Sequence, residues 1–323
     1  MIFIIIYASL LHIAGMKNLL LLLSLICAHP ADSIGVMFWN LENFFDWRDG
    51  GMNPSDAEFS SSGERRWTSK RFHSKCDAVA KSILWISDRH GGLPDIICLA
   101  EVENRFVLNR LLGVTALKKS DYGIVHYDSP DPRGIDVALL YRKSRLDTVR
   151  TRAVHIPGLE TRDILLAQFR CPGGDSLAVT ANHHPSKYGG AASEAKREAA
   201  VSVLRHLTDS LTRAGWVHQV ATGDFNDTPD SPVYDRLEPS LVNISWKGAS
   251  GGSIRFNGKW ELIDQCLVTP ELAPRSSMEV IRIPFLMTRD KTYGGEKPLR
   301  TYVGPRYAGG VSDHCPILST IIL

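Results

Sequence analysis

Short apolar runs, rich in β-branched or aromatic residues, recur along the chain at Ile34–Trp39, Asp95–Leu99, Ile135–Tyr141, Ser176–Asn182, Val217–Thr222, Leu262–Val268 and Ile317–Ile322. Their length and composition predict strands. Two longer stretches carry helical spacing instead. Residues 72–88 place Cys76, Val79, Ala80, Ile83 and Ile86 on one face, and residues 192–213 do the same with Ala195, Ala199, Val203, His206 and Leu207. Strands outnumber helices, and helices fall between some of them, which favours an α/β or α+β sandwich with helices covering sheets. No internal repeat is visible and no Pro/Gly/Ser-rich linker separates two regimes, so residues 33–323 read as one domain.

The first 28 residues break this pattern. They are almost uninterrupted apolar sequence with one charge, Lys17, directly before the run Leu19–Ile26. A charged start followed by such a segment is the arrangement of a secretory signal peptide, with Met16 as the start and cleavage after Ala28 or near Ala31. The chain is then secreted or periplasmic. The other reading is a membrane anchor, because residues 1–28 approach the roughly 18 apolar residues that a bilayer span needs.

A length of 323 residues with a 44% hydrophobic fraction allows a sizeable core, and a formal charge of +2 announces neither a nucleic-acid nor a membrane binder. Any polyanion must be held by a local patch. Without the leader five cysteines remain, Cys76, Cys98, Cys171, Cys266 and Cys315, at none of the paired short spacings of a zinc or redox site. They read as small buried hydrophobes, and no essential disulfide is expected.

Polar groups stand repeatedly at the ends of the apolar runs, where sites are built. Asn40 follows Val36–Trp39, Glu101 follows Ile96–Ala100, His183 follows Ala178–Asn182, and Asp224 and Asn226 follow Val220–Gly223. Asp264 follows Glu261–Ile263, and Asp313-His314 precedes the last run. In Gly223-Asp224-Phe225-Asn226-Asp227 the glycine permits a sharp turn, and alternation points Asp224 and Asn226 to one side with Phe225 opposite. A carboxylate there can orient or deprotonate water while the amide donates to a phosphoryl oxygen. The alternative is a turn in which Asp and Asn merely bond their own backbone. Asp264 could orient the His314 imidazole and stabilise its protonated form, which suits contact with a phosphate.

Taken in order, Trp39-Asn40-Leu41-Glu42-Asn43, Leu99-Ala100-Glu101-Val102, Arg133-Gly134-Ile135-Asp136, Asn182-His183-His184, Gly223-Asp224-Phe225-Asn226-Asp227, Leu262-Ile263-Asp264 and Ser312-Asp313-His314 resemble the motifs of the endonuclease/exonuclease/phosphatase superfamily. The resemblance spans nearly the whole chain beyond the leader. It implies a four-layered α/β/β/α sandwich, two mixed sheets packed face to face with helices outside. It also implies a Mg²⁺ (or Mn²⁺) site at Asn40 and Glu101, completed by Asp313, since oxygen donors suit these hard cations. By the same resemblance Asp224 activates the attacking water, Asn226 holds it and a phosphate oxygen, Asp264 and His314 contact the scissile phosphate, and His183 stabilises charge or protonates the leaving oxygen. Two departures stand out. A Gln often precedes the metal-binding Glu, where this chain has Ala100, and only one of the adjacent His183 and His184 can face inward; His183 is preferred because it follows Asn182. Arg133 is a candidate phosphate contact or an ordinary surface arginine.

For the substrate, Glu64–Lys75 mixes five cations with two aromatics, a possible grip on a nucleic-acid backbone or a solvated helix entrance. Tyr188-Gly189-Gly190 and Gly309-Gly310 offer rims for close approach. The leading expectation is a nuclease, most simply an endonuclease, acting on DNA or RNA. The alternatives are a phosphatase or phosphodiesterase of small phosphorylated molecules or lipid head groups, and an inactive binding protein. No protein partner is implied, and a monomer is expected.

Overall fold

The computed structural model describes residues 33–48, 53–187, 189–245 and 251–323. The expected leader, residues 1–28, and Tyr188 of the expected rim lie outside these. Among the described residues no helix is long and apolar enough to cross a membrane.

Twelve strands form two six-stranded sheets. In chain order they are β1 (Ser33–Phe44), β2 (Ile96–Val102), β3 (Tyr122–His126), β4 (Asp136–Arg142), β5 (Asp147–Val154), β6 (Ile164–Arg170), β7 (Ser176–His183), β8 (His218–Asp224), β9 (Val242–Asn243), β10 (Asp264–Val268), β11 (Ser277–Val280) and β12 (Ile317–Ile322). Sheet one runs β11-β12-β1-β2-β4-β3 and sheet two runs β5-β6-β7-β8-β10-β9. Each is mixed: β1 and β2 are parallel in one, β7 and β8 in the other, and the remaining pairs are antiparallel. The main helices are α1 (Ser69–Arg89), α2 (Arg105–Val114) and α3 (Ala191–Arg213).

Alternation along each strand divides the interior into three apolar layers. Ile34, Val36 and Phe38 of β1 and Ile96, Cys98 and Ala100 of β2 meet Leu177, Val179 and Ala181 of β7 and Cys266 and Val268 of β10 between the sheets. The opposite face of sheet one, with Met37, Trp39, Ile97 and Leu99, packs on Phe72, Cys76, Val79 and Ile83 of α1 and Leu108 and Leu111 of α2. The outer face of sheet two, with Ala178, Ala221 and Leu267, packs on Val201, Leu204 and Leu211 of α3. The expected α/β/β/α order of layers is the order found. Each fully buried Leu, Ile or Phe stabilises such a fold by about 1.5–3 kcal/mol over its exposed state.

The predicted inner face of α1 is buried throughout, and Thr68 caps the helix by accepting from the Arg71 N–H. That of α3 is displaced. His206 and Ala195 are exposed, whereas Ala200, Val201, Leu204, Leu207 and Leu211 are buried. The leucine stripe wins over the alanine one because it removes more apolar area from water. Strand β6 and helix α2 are absent from the sequence reading. The run Ile164-Leu165-Leu166-Ala167 is buried on both faces, so it shows no alternation and lacks β-branched character after its first residue. Edge strand β5, largely exposed and carrying Arg150 and Arg152, shows none either. All five expected cysteines are buried and unbridged.

Candidate active site

The same alternation that builds the dry core between the sheets sets polar groups at its end. On β7, β8 and β10 the inter-sheet positions run outward from Val179, Val220 and Cys266 to His183, Asp224 and Asp264. Register aligns them: His183 pairs with Asp224 across the parallel β7–β8 ladder, and Asp264 pairs with Asp224 across the antiparallel β8–β10 ladder. Asp264 therefore opens its strand rather than closing one, contrary to the sequence reading. It reaches the site because an antiparallel neighbour starts where β8 ends. Gly223 serves this row by closeness and not by a turn. A Cβ there would lie 2.2 Å from the Asn182 carbonyl oxygen, so any larger residue would push β7 and β8 apart beside the site.

Sheet one delivers its groups differently. Asn40 continues the inter-sheet face of β1, but Glu101 would point outward if β2 stayed regular. It adopts φ 59° at a register shift between Ala100 and Val102, a bulge that re-aims the side chain. A second irregularity between Asn40 and Phe44 contains Glu42 (φ 47°) and Asn43 (φ 54°). Ala100, where the superfamily often has Gln, is part of the inter-sheet core.

The two sides meet in one small volume. Asn40 Nδ2 donates to Asp224 Oδ2 (3.1 Å) and, more weakly, to Glu101 Oε1 (3.4 Å), while its oxygen accepts the Glu42 N–H (2.9 Å). The Asn43 N–H holds Glu101 Oε2 at 2.8 Å. His183 Nε2 lies 3.7 Å from Asp224 Oδ2 and 4.0 Å from Glu101 Oε1. His314 Nδ1 hydrogen-bonds Asp264 Oδ2 at 2.8 Å, as the sequence suggested, and its Nε2 faces Asp224 Oδ2 (3.9 Å) and Asp313 Oδ1 (3.8 Å). The C-terminal segment is tied in by Ser312, which donates to the Asn40 carbonyl (2.6 Å) and accepts the His314 N–H, and by Trp39, which donates to the His314 carbonyl.

Electrostatics divides the two histidines. Burial alone would lower the His314 pKa, but Asp264, Asp224 and Asp313 raise it well above its ordinary value, so it is an imidazolium. Burial, together with the Arg162 and Arg133 charges, pushes His183 well below its ordinary value and keeps it neutral. Burial raises Asp224 to about 7, against the pull of His314 and with help from Asp264.

Other expected residues fall into place around this centre. His183 faces the cluster, whereas His184 packs on the Phe225 ring at 4.7 Å between centroids. Asn226 does not continue an extended strand: it takes φ 54°, its N–H bonds Asp224 Oδ1 (2.9 Å) and its side-chain amide bonds the His184 carbonyl (3.0 Å). The self-bonded turn is thus real, and it leaves Asp224 Oδ2 facing the cluster. Asp313 stands at the edge, 3.1 Å from the Arg300 guanidinium. Arg133 stays outside the centre, half-exposed beside Asp131. Arg162, unmarked in the sequence reading, is buried and bridges Asp131 to the His184 carbonyl.

Three further charged residues had no place in the site by the sequence reading: Glu42 was quoted only within its motif, Lys75 only within the 64–75 stretch, and Arg300 not at all. Glu42 is buried and held by Arg300, and Lys75 is buried behind it, donating to the Glu42 carbonyl. A lysine on the apolar stripe of α1 was the available signal. The basic and aromatic stretch at 64–75 is partly consumed by structure: Trp67, Phe72 and Lys75 are buried, Arg65 pairs with Glu58, and Arg71 donates to the Arg65 and Arg66 carbonyls, while Arg66 and Lys70 are exposed. Two residues beyond Glu101, Glu103 joins Asp46, Asp56, Asp128, Asp131 and Asp136 around a hollow of about 800 Å³. Across Asp131 a groove of about 690 Å³ is lined by Arg133, Arg162 and Lys196.

A model of the Endonuclease/Exonuclease/phosphatase family matches residues 35–322. The chain belongs to this family. Its members are metal-dependent phosphoester hydrolases. Over 165 residues, 47% of this chain and 41% of the relative, it is 28% identical to nocturnin from Xenopus laevis, so the match spans less than half of that protein. Among solved structures, an endonuclease/exonuclease/phosphatase family protein from Bacteroides thetaiotaomicron superimposes with a TM-score of 0.58 at 18% identity, covering 90% of this chain and 97% of the other. A mannosyl-6-phosphatase from the same organism gives 0.60 at 16%, covering 90% and 100%. Truncated TDP2 of Caenorhabditis elegans gives 0.57 at 16%, covering 90% and 98%. At these identities the structures share the fold.

Proposed function

We propose that this chain hydrolyses a phosphate ester by direct attack of water, with Mg²⁺ or Mn²⁺ held on its sheet-one side. The observation that supports this most is the convergence of an ionisable buried carboxylate, an imidazolium, a neutral imidazole and several carboxylates at one end of the inter-sheet core. The donor set fits a hard divalent ion: Glu101 and Asp313 offer carboxylate oxygens, with the Asn40 oxygen nearby. Ligand atoms of Asp224, Asp264 and His314 also lie within 4.8 Å of one another, with His314 Nδ1 already hydrogen-bonded to Asp264 Oδ2. A bound ion supplies Lewis-acid charge that offsets negative charge on the phosphate oxygens.

The chain's own residues do the rest. Asp224, once ionised, takes a proton from water, and Asn40 orients its carboxylate. His314, fixed by Asp264, donates to a phosphoryl oxygen as charge builds there. Neutral His183 donates a hydrogen bond to the same group; its depressed basicity favours this over proton delivery to the leaving oxygen. Asn226 supports Asp224 through its backbone N–H, while its side-chain amide is committed in part to the His184 carbonyl rather than to water.

On the substrate, the hollow lined by Glu103 and five aspartates, with Arg48, opposes a phosphate-rich strand, and in the segment that suggested a nucleic-acid grip Trp67, Phe72 and Lys75 are buried while Arg66 and Lys70 are exposed. These observations favour a compact phosphoester. The nucleic-acid reading retains the Arg133–Lys196 groove and the exposed Arg66 and Lys70. The residues 1–28 pattern supports export, and the mature N-terminus measured by mass spectrometry would decide it. The functional test is hydrolysis of hexose 6-phosphate, bis-p-nitrophenyl phosphate, plasmid DNA and RNA with Mg²⁺, Mn²⁺ or EDTA, beside Asp224→Asn. Metal-dependent turnover of a small ester lost in the variant is expected. Faster nicking of plasmid would replace the compact substrate by nucleic acid, and silence on all four would sink the hydrolase reading.

A further inference from the structure

The groove of about 690 Å³ that begins at Asp131 adjoins the catalytic cluster through one peptide group. The His184 carbonyl accepts from the Asn226 side chain on the cluster's side (3.0 Å) and from Arg162, which lines the groove, at 2.7 Å. From there the groove runs to the start of α3, where Ser193 and Lys196 line it. Helix α3 is 23 residues long and opens at Gly190, which has no side chain to cap the first turn. The leading N–H groups of a helix have no partner within it, and its aligned peptides place partial positive charge at that end. Two buried side chains point to a ligand at the same place. Thr161 and Arg162 line the groove at 6% and 7% exposure, and Thr161 Oγ1 and Arg162 Nε have no hydrogen-bond partner among the described residues. An unmet buried hydroxyl or guanidinium N–H costs free energy that an acceptor seated there recovers. The charges agree with an anion. Asp131 is engaged by Arg162 (2.8 Å) and Arg133 (3.6 Å), while Lys196 is exposed on the same face of α3 as Ala192, four residues before it. Glu160 also lines the groove but is exposed, so water and salt screen it, and Glu194 of the first turn is exposed outside the groove. Arg197 donates to the Ser186 carbonyl (3.2 Å), so that Arg162 and Arg197 together fix the segment leaving β7 before any ligand arrives.

We infer that this groove is a second anion subsite, formed by Thr161, Lys196 and the N-terminus of α3, and that the substrate is a small molecule carrying a second phosphate besides the one that is cleaved. The inference rests on the hydrolase reading above and narrows its compact phosphoester to a bisphosphorylated one. A phosphate dianion offers what these groups lack: oxygens that accept at once from a hydroxyl, from backbone N–H groups and from an ammonium. Holding the remote phosphate positions the ester at the catalytic groups, so the gain falls on kcat/KM.

Calorimetry on the Asp224→Asn protein with Mg²⁺, where turnover is suppressed, tests the subsite apart from activity, with hexose 6-phosphate and hexose 1,6-bisphosphate as probes. The bisphosphate is expected to bind at least about tenfold more tightly, the effect of one good charge-assisted contact. Adding Lys196→Glu should abolish that advantage, and adding Thr161→Val instead should shrink it about threefold. Lys196 is exposed, so its replacement leaves the fold intact, and circular dichroism melting checks both variants. With Asp224 restored, the ratio of kcat/KM between the two esters should follow the same order. Equal or undetectable affinity for the two esters, or an advantage that survives both substitutions, would overturn the inference. Plasmid DNA bound more tightly than the bisphosphate, and released by Lys196→Glu, would overturn the small substrate and give the groove to a nucleic-acid strand. A bisphosphate advantage without hydrolysis of either ester by the wild type would support the subsite and overturn the hydrolase reading.

Discussion

The two sheets meet at one site but reach it by different means. Sheet two contributes His183, Asp224 and Asp264 as a row of neighbours in register, each where plain alternation puts it. Sheet one contributes Asn40 regularly, but Glu101, Glu42 and Asn43 come from bulged backbone with φ of 47–59°. The difference matches the chemistry asked of each side. Proton handling needs fixed distances between few groups, which a ladder supplies without strain. Gathering several carboxylates around a cation needs side chains from successive positions to face one way, which alternation forbids and a bulge permits. Backbone held at positive φ persists only where its surroundings over-determine it, here through the Asn43 N–H to Glu101 and the Glu42 N–H to Asn40.

Breaking the row should cost most. Asp224→Asn keeps the shape and removes the base, so kcat should fall by about 10³-fold. The same change sharpens a stability argument. Burial holds the folded pKa of Asp224, about 7, above the roughly 3.9 of an unfolded aspartate, so stability is lost as pH rises between the two and the full loss is present above 7. Thermal melts should show Tm of the variant raised relative to wild type at pH 8 and the difference gone at pH 4. On the bulged side, Glu101→Gln should lower kcat about 10²-fold at moderate Mg²⁺ and recover part of it at high metal, a dependence that Asp224→Asn must lack. Between these, the wild-type rate should decline below about pH 7 as Asp224 protonates; a flat profile from pH 8 to 5 would remove Asp224 as the base. Gly223→Ala attacks the register that aligns the row. Its Cβ would clash with the Asn182 carbonyl, and urea melts should show about 1–3 kcal/mol of lost stability together with slowed turnover. Arg133→Ala, outside the centre, should change kcat/KM no more than about threefold on a small ester; a larger loss on nucleic acid alone would favour the groove as a strand track.

The layers of the fold were legible because burial leaves a period. Ile34, Val36 and Phe38 alternate with Met37 and Trp39, and Cys76, Val79 and Ile83 follow the helical one. Where burial is two-sided, as at Ile164–Ala167, or absent, as along β5, the period vanishes and so did the expectation. The site's residue types were legible too, since polar groups ending apolar runs are uncommon without a task. Glu42 was quoted within its motif yet given no role, because nothing local says that Arg300, 258 positions away, will bind it.

By itself the sequence determined which residues could form this site: the inward positions of β1, β7 and β8, and the rule that only one of His183 and His184 faces inward, follow from a two-residue period that any strand must obey, and the resemblance to the family chose His183. Only the tertiary structure decided what those residues are. Trp67, Phe72 and Lys75 of the 64–75 stretch became core, Asp264 became the start of a strand, and the pKa of His183 was pushed down while that of His314 was pushed up. Ionisation, pairing and burial depend on distances between segments far apart in the chain, and the local pattern of residues does not contain them.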